Sequence, residues 1–164
     1  MWAAEPLITG YLKRDGVRIG YQVFGAGKPT ILLMPTWCIV HSRVWKMQIP
    51  YLARHFRVVT FDGPGNGEAD RPSGPDAYSA AKHVDLALGV LDATETERAI
   101  VVASSGGTHR TVRLVAEHPD RVDGVVFVGP FTPLVSDPPD ERTEAFESGD
   151  YEVYLERFMA AVFT

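Results

Sequence analysis

The sequence predicts an α/β fold, a mostly parallel sheet with helices on both faces. Three observations carry that prediction. Four short, continuous apolar runs, Thr30 to Met34, Phe56 to Phe61, Ala99 to Val102 and Val122 to Val128, have the length and composition of strands buried on both faces. Helical spacing fills the intervals between them, at Arg43 to Arg54, Ala77 to Ala93 and Gly106 to His118, and strands alternating with helices of this length imply βαβ units. Distinctive loops follow three of the runs, Pro35 to His41, Asp62 to Pro72 and Ala103 to Gly107, at the strand ends where parallel sheets carry their chemistry.

The chain's 164 residues suit one domain, and 45% hydrophobic content is enough for a real core. With a formal charge of -5 and scattered Lys and Arg, there is no electrostatic footprint for nucleic acid or an anionic membrane. The single cysteine, Cys38, excludes an intrachain disulfide, and no Cys/His cluster has metal-ligand spacing. The first residues lack a signal-peptide pattern, and no apolar run approaches the ~18 residues of a membrane span. A cytoplasmic setting is expected, with neither cofactor nor metal.

Along the chain, Thr9 to Lys13 and Val17 to Phe24 flank the turn signal Arg14-Asp15-Gly16 and predict an antiparallel hairpin. Gly25-Ala26-Gly27-Lys28-Pro29 is not a phosphate-binding loop. Gln22 stands where the first glycine of GxxxxGK belongs, and Pro29 replaces the magnesium-binding Ser/Thr. Ser42 is the expected cap of the helix from Arg43 to Arg54, which Pro50 should kink or shorten. The loop Asp62 to Pro72 is glycine-dense enough to require turns closed to bulky residues. In the helix from Ala77 to Ala93, Ala81, Val84, Leu88 and Leu91 form the apolar stripe. After Gly129-Pro130 a Pro/Asp-rich linker, Phe131 to Arg142, leads into amphipathic helix from Thr143 to Thr164. Its face of Phe146, Tyr151, Tyr154, Leu155, Phe158 and Val162 is either helix core or a lid.

The rest of the chain is organised around Ala103-Ser104-Ser105-Gly106-Gly107, between a strand and a helix ended by Pro119. A serine with small residues two positions away on each side, at a strand-to-helix turn, is what a nucleophile elbow needs, because the turn pushes Oγ out above the sheet. Ser105, flanked by Ala103 and Gly107, meets that spacing; Ser104, with Val102 upstream, meets it poorly. Taken alone, the same residues fit an ordinary turn or a helix N-cap equally well.

Taken together, the order of features resembles the α/β-hydrolase family. The resemblance runs from Thr9 to Val128 and rests on the hairpin with its ILLMP strand, on FRVVTFDGPGNGEADRP, on the elbow, and on AEHPDRVDGVVFVGP. It implies that residues 1–130 form the hydrolase core, strands 1 to 6 of that fold, and that 131–164 are a linker and the start of a helical cap. It further implies that Ser105 is the nucleophile and that the backbone N–H groups of Gly106 and Trp37 form the oxyanion hole. Pro35-Thr36 stands where the family usually has His-Gly, and Pro35 has no N–H to offer, whereas Trp37 has one. Serine at the elbow, in place of the carboxylate of the family's dehalogenases and epoxide hydrolases, implies acyl transfer.

In this fold the triad runs Ser, acid, His. The family's acid and histidine lie on loops after later strands, so the chain resembles the amino-terminal portion of a hydrolase, with an open parallel edge to its sheet. Within the chain, Asp137 is the candidate acid and His41, in the oxyanion loop, the candidate base; Asp140, His109 and His118 read as solvated or helix-terminal groups. Arg110 and Arg113 stand on the elbow helix, where charge is out of place unless that face is exposed or the site has drifted. Three readings follow: a serine hydrolase of an ester or related acyl compound; a catalytically inactive binding module of the same fold; and a truncated fragment. The expected partners are a small apolar or ester substrate and, at the open edge, a second chain completing the sheet or a second copy, with no nucleic acid and no membrane.

Overall fold

The computed structural model describes residues 4–37 and 40–130, together with Glu156, an exposed helical residue. Two compact units, Met1–Thr132 and Pro133–Thr164, divide the chain, and the fold below is that of the first. The linker and cap helix expected over 131–164, with Asp137 and Asp140, lie outside the described residues, as does Cys38.

Six strands form one sheet in the order β1-β2-β4-β3-β5-β6: β1 Ile8–Arg14, β2 Val17–Phe24, β3 Thr30–Leu33, β4 Arg57–Phe61, β5 Ala99–Ser105 and β6 Val122–Pro130. The pairs β1/β2 and β2/β4 are antiparallel, while β3/β4, β3/β5 and β5/β6 are parallel. Asp15 and Gly16 close the hairpin with φ of 48° and 82°, the two-residue turn whose twist matches that of the strands.

Period-two alternation divides the central strands between two cores. Leu32, Met34, Val59, Phe61 and Val101 enter a cluster with Leu86, Leu91 and Leu114 on one face; Ile31, Leu33 and Val58 enter a second cluster with Trp45 and Ile49 on the other. Helices therefore cover both faces, α1 (Ile49–Leu52) on one and α2 (Ala80–Ala93) with α3 (Gly107–Glu117) on the other. Among the described residues β6 pairs with β5 alone, and its Val126, Phe127 and Val128 are exposed.

The helices differ from expectation in instructive ways. Instead of one helix over Arg43 to Arg54 there is a 3-10 turn, Ser42–Trp45, and then α1, because Pro50 sits in the first turn, where its missing N–H breaks no ladder bond. The cap of that 3-10 turn is His41, whose side chain accepts from the Arg43 N–H at 3.2 Å; the Ser42 N–H donates to Asp62 instead. Helix α2 starts at Ala80, with Ser79 as N-cap accepting from the Lys82 N–H. Its buried face is wider than the expected stripe. His83, Leu86, Ala87 and Val90 are buried with Val84 and Leu91 because the helix packs against both β1 and α3, while Ala81 is exposed and Leu88 half-buried.

Asp62, at the end of β4, is 7% exposed and ties two loops to the sheet. One carboxylate oxygen accepts from the Ser42 N–H at 2.8 Å and the other from the Glu68 N–H at 2.9 Å, while its own N–H donates to the Gly20 carbonyl. Gly67 turns beneath it with φ of 44°, and a Cβ there would stand 2.0 Å from a carboxylate oxygen. Asp62→Asn keeps the shape but loses one acceptor, leaving a buried N–H facing an amide. It is expected to lower the unfolding free energy by about 1–3 kcal/mol with an unchanged denaturant slope, as read from urea titration.

Candidate active site at the strand-to-helix turn

Strand β5 ends at Ser105, whose φ of 49° lies in the left-handed region that β-carbon sterics penalise. The residue is exposed, and helix α3 begins two positions later. The β5/β6 register shifts between Ser104 and Ser105, so the strand leaves its ladder where the turn begins. This combination places an exposed serine at the carboxyl edge of the sheet.

The loop after β3 lies directly against this turn. A Cβ on Gly106 would stand 2.8 Å from the Thr36 carbonyl oxygen, and one on Gly107 would stand 2.9 Å from that of Pro35. The small residues after Ser105 are thus required by a close approach of two backbones, as the spacing Ala103-x-Ser105-x-Gly107 anticipated. The same loop is held by named donors. The Met34 N–H donates to the Val102 carbonyl at 3.0 Å, and the Trp45 indole N–H to the Met34 carbonyl at 3.3 Å. The Arg110 guanidinium donates to the Pro35 carbonyl at 3.1 Å, and the Asn66 side-chain amide to the Trp37 carbonyl at 3.0 Å.

The family model for the alpha/beta hydrolase fold matches residues 29–160. The chain belongs to the alpha/beta hydrolase fold family. A 2-hydroxymuconate semialdehyde hydrolase of Pseudomonas sp. (strain CF600) is 35% identical over 126 residues, 76% of this chain and 44% of the relative. A haloalkane dehalogenase of Psychrobacter cryohalolentis is 34% identical over 57% of this chain and 30% of its own length. Among solved structures, Est816, described as an N-acyl homoserine lactone degrading enzyme, superposes with a TM-score of 0.72 at 31% identity, over 84% of this chain and 52% of that one. The chain spans about half the length, or less, of these relatives.

The other candidate residues of this alpha/beta hydrolase chain fall in different places. His41 is exposed and caps the turn at Ser42–Trp45; it lines a cavity of about 250 Å³ with Tyr11, Tyr21, Asp62 and Glu68, and Ser105 is not among the residues lining that cavity. His109 is exposed on α3 and His118 caps its carboxyl end. Of the two arginines on α3, Arg113 pairs with Glu117 at the surface, while Arg110 is half-buried against the loop after β3. Among the described residues no group of three or more His, Cys, Asp or Glu side chains is placed to hold a metal ion, and no helix is long and apolar enough to cross a membrane.

Reading the sequence by motif missed His83, the most perturbed titratable group near the site. It is 2% exposed on α2, between the two loops. Its Nε2 would be 2.9 Å from a Cβ on Gly63, a Cβ that would in turn lie 3.5 Å from that of Pro35. Nδ1 lies 3.0 Å from the Ser79 carbonyl, which can only accept, so the neutral ring carries its proton on Nδ1. Burial, and then the nearby positive charge of Arg110, push its pKa down to about 3 against the opposing pull of the Ser79 carbonyl.

The unfolded chain takes up a proton at this ring near the ordinary pH of 6.5, and the folded chain only near 3. Stability is therefore full above the upper value and falls on acidification, by up to ~1.4 kcal/mol per pH unit within that window. Between pH 6.5 and 5, above the carboxylate range, His83→Gln is expected to flatten the fall in urea midpoint shown by the unsubstituted chain. Parallel curves would assign that fall to other groups.

Proposed function

We propose that this chain carries the nucleophile and the oxyanion-binding loop of a serine hydrolase acting on a small, largely apolar ester or related acyl compound. The observation that carries the reading is the left-handed conformation of an exposed Ser105 at the end of β5, with the loop after β3 packed on the two glycines that follow. A serine here, where a dehalogenase-type reaction needs a carboxylate, favours acyl transfer over halide displacement.

In this mechanism a base takes the Ser105 proton as Oγ attacks the substrate carbonyl carbon. The backbone N–H groups of Gly106 and Trp37 receive the negative oxygen of the tetrahedral intermediate, worth roughly 3–4 kcal/mol per donor. Collapse expels the alcohol, which leaves with the proton, and water then releases the acid from the serine ester. The acid and histidine are provided by a second chain or a further segment, or, within the sequence, by Asp137 as the acid candidate and His41 as the base candidate. The single cysteine supports a reducing, cytoplasmic setting.

The test is labelling with a fluorophosphonate probe followed by peptide mapping, from pH 7 to 10 so that hydroxide can supply a base where the side-chain base is lacking. Ser105 is expected to label ahead of every other serine, and Ser105→Ala to lose that adduct. A folded preparation that forms no Ser105 adduct at any pH would overturn the hydrolase reading. Ligand-induced stabilisation without an adduct, unchanged in Ser105→Ala, would favour the inactive binding module.

A further inference from the structure

The loop after β3 contains no glycine, yet three of the four consecutive carbonyls from Met34 to Trp37, those of Met34, Pro35 and Trp37, each accept from a side chain of a different element. Trp45 comes from the 3-10 turn before α1, Arg110 from α3, and Asn66 from the glycine loop after β4. The fourth carbonyl, that of Thr36, packs on Gly106. The peptide plane joining Thr36 C=O to Trp37 N–H is thus bracketed on its amino side by Arg110 and on its carboxyl side by Asn66.

We propose that Asn66 and Arg110 are positioning residues that clamp this plane and so hold the Thr36–Trp37 segment against the Ser105 turn. The proposal rests on the serine-hydrolase reading for its catalytic consequence, but not for the clamp itself. A transition-state donor contributes only when it is held close to its productive geometry before the charge develops.

Both clamps are themselves anchored. Asn66 is 6% exposed; its N–H donates to the Gly63 carbonyl and its carbonyl accepts from the Ala69 N–H at 2.8 Å, so its backbone is fixed in the loop that Asp62 organises. Arg110 stands in the first turn of α3, the helix that begins two residues after Ser105, so it ties the loop after β3 to the start of that helix. One partner of this cation on α3 is thus a backbone carbonyl.

The test compares Arg110→Met, Arg110→Lys, Asn66→Asp and the unsubstituted full chain by two readouts. Amide order parameters at Thr36 and Trp37 are expected to fall from the rigid range of ~0.85 to below ~0.6 in Arg110→Met and Asn66→Asp, with the strand amides of β3 and β5 unchanged and Arg110→Lys, which keeps a donor, close to the parent. In the same variants the first-order rate of Ser105 modification by fluorophosphonate is expected to drop about tenfold, with the probe's half-saturating concentration unchanged. Rigid amides at both positions in Arg110→Met and Asn66→Asp would overturn the clamp, as would an Arg110→Lys variant as mobile as Arg110→Met. A chain whose amides loosen as expected but whose Ser105 never labels, even unsubstituted, keeps the clamp and loses the hydrolase reading instead.

Discussion

The constraint on which the molecule depends is the contact of two backbones at the carboxyl edge of its sheet. The carbonyls of Pro35 and Thr36 lie so near Gly106 and Gly107 that no side chain fits between them. That approach is possible only because β3 and β5 are neighbours and parallel, so that the loops leaving both strands emerge on the same edge. The sheet order, with β3 reached after a crossing from β2 past β4, exists to the benefit of that adjacency.

Holding such a contact costs conformational freedom and stores strain, and the surrounding structure offsets both. Ser105 occupies a backbone region that costs a residue with a β-carbon roughly 1–2 kcal/mol. Against this stand the buried cores on both faces of β3 and β5, where Leu32, Leu33 and Val101 are essentially inaccessible to water. Polar groups do the finer work. Asp62, Asn66 and Arg110 satisfy backbone groups of the loops that a regular strand or helix would have paired with one another. These loops are thus ordered without secondary structure of their own.

Much of this was legible in the residues alone. The β-branched runs, the Asp15-Gly16 turn and the small residues around Ser105 each follow a local rule, and the structure obeys it in the sheet, in the hairpin and at the elbow. What escaped was long-range. Nothing in the neighbourhood of Arg110 announces that its partner is a carbonyl 75 positions away, and Asn66 reads as one more turn residue until Trp37 is seen beside it. His83 was hidden in an amphipathic helix because burial on two sides, by the sheet and by α3, is a tertiary outcome that one-sided periodicity understates. The broken first helix is a different kind of lesson: Pro50 shortens it, as expected, but by standing in the first turn of α1 rather than by kinking a longer helix.

The turn at Ser105 is strained, because its left-handed backbone carries a residue with a β-carbon. The most direct measurement is the unfolding free energy of Ser105→Gly against that of Ser105→Ala. Neither variant has a hydroxyl, so the difference reports the backbone alone. A left-handed residue makes glycine the more stable of the two, by about 1 kcal/mol. In an ordinary strand or helix the order reverses by a similar amount, and alanine more stable than glycine at this position would contradict the account.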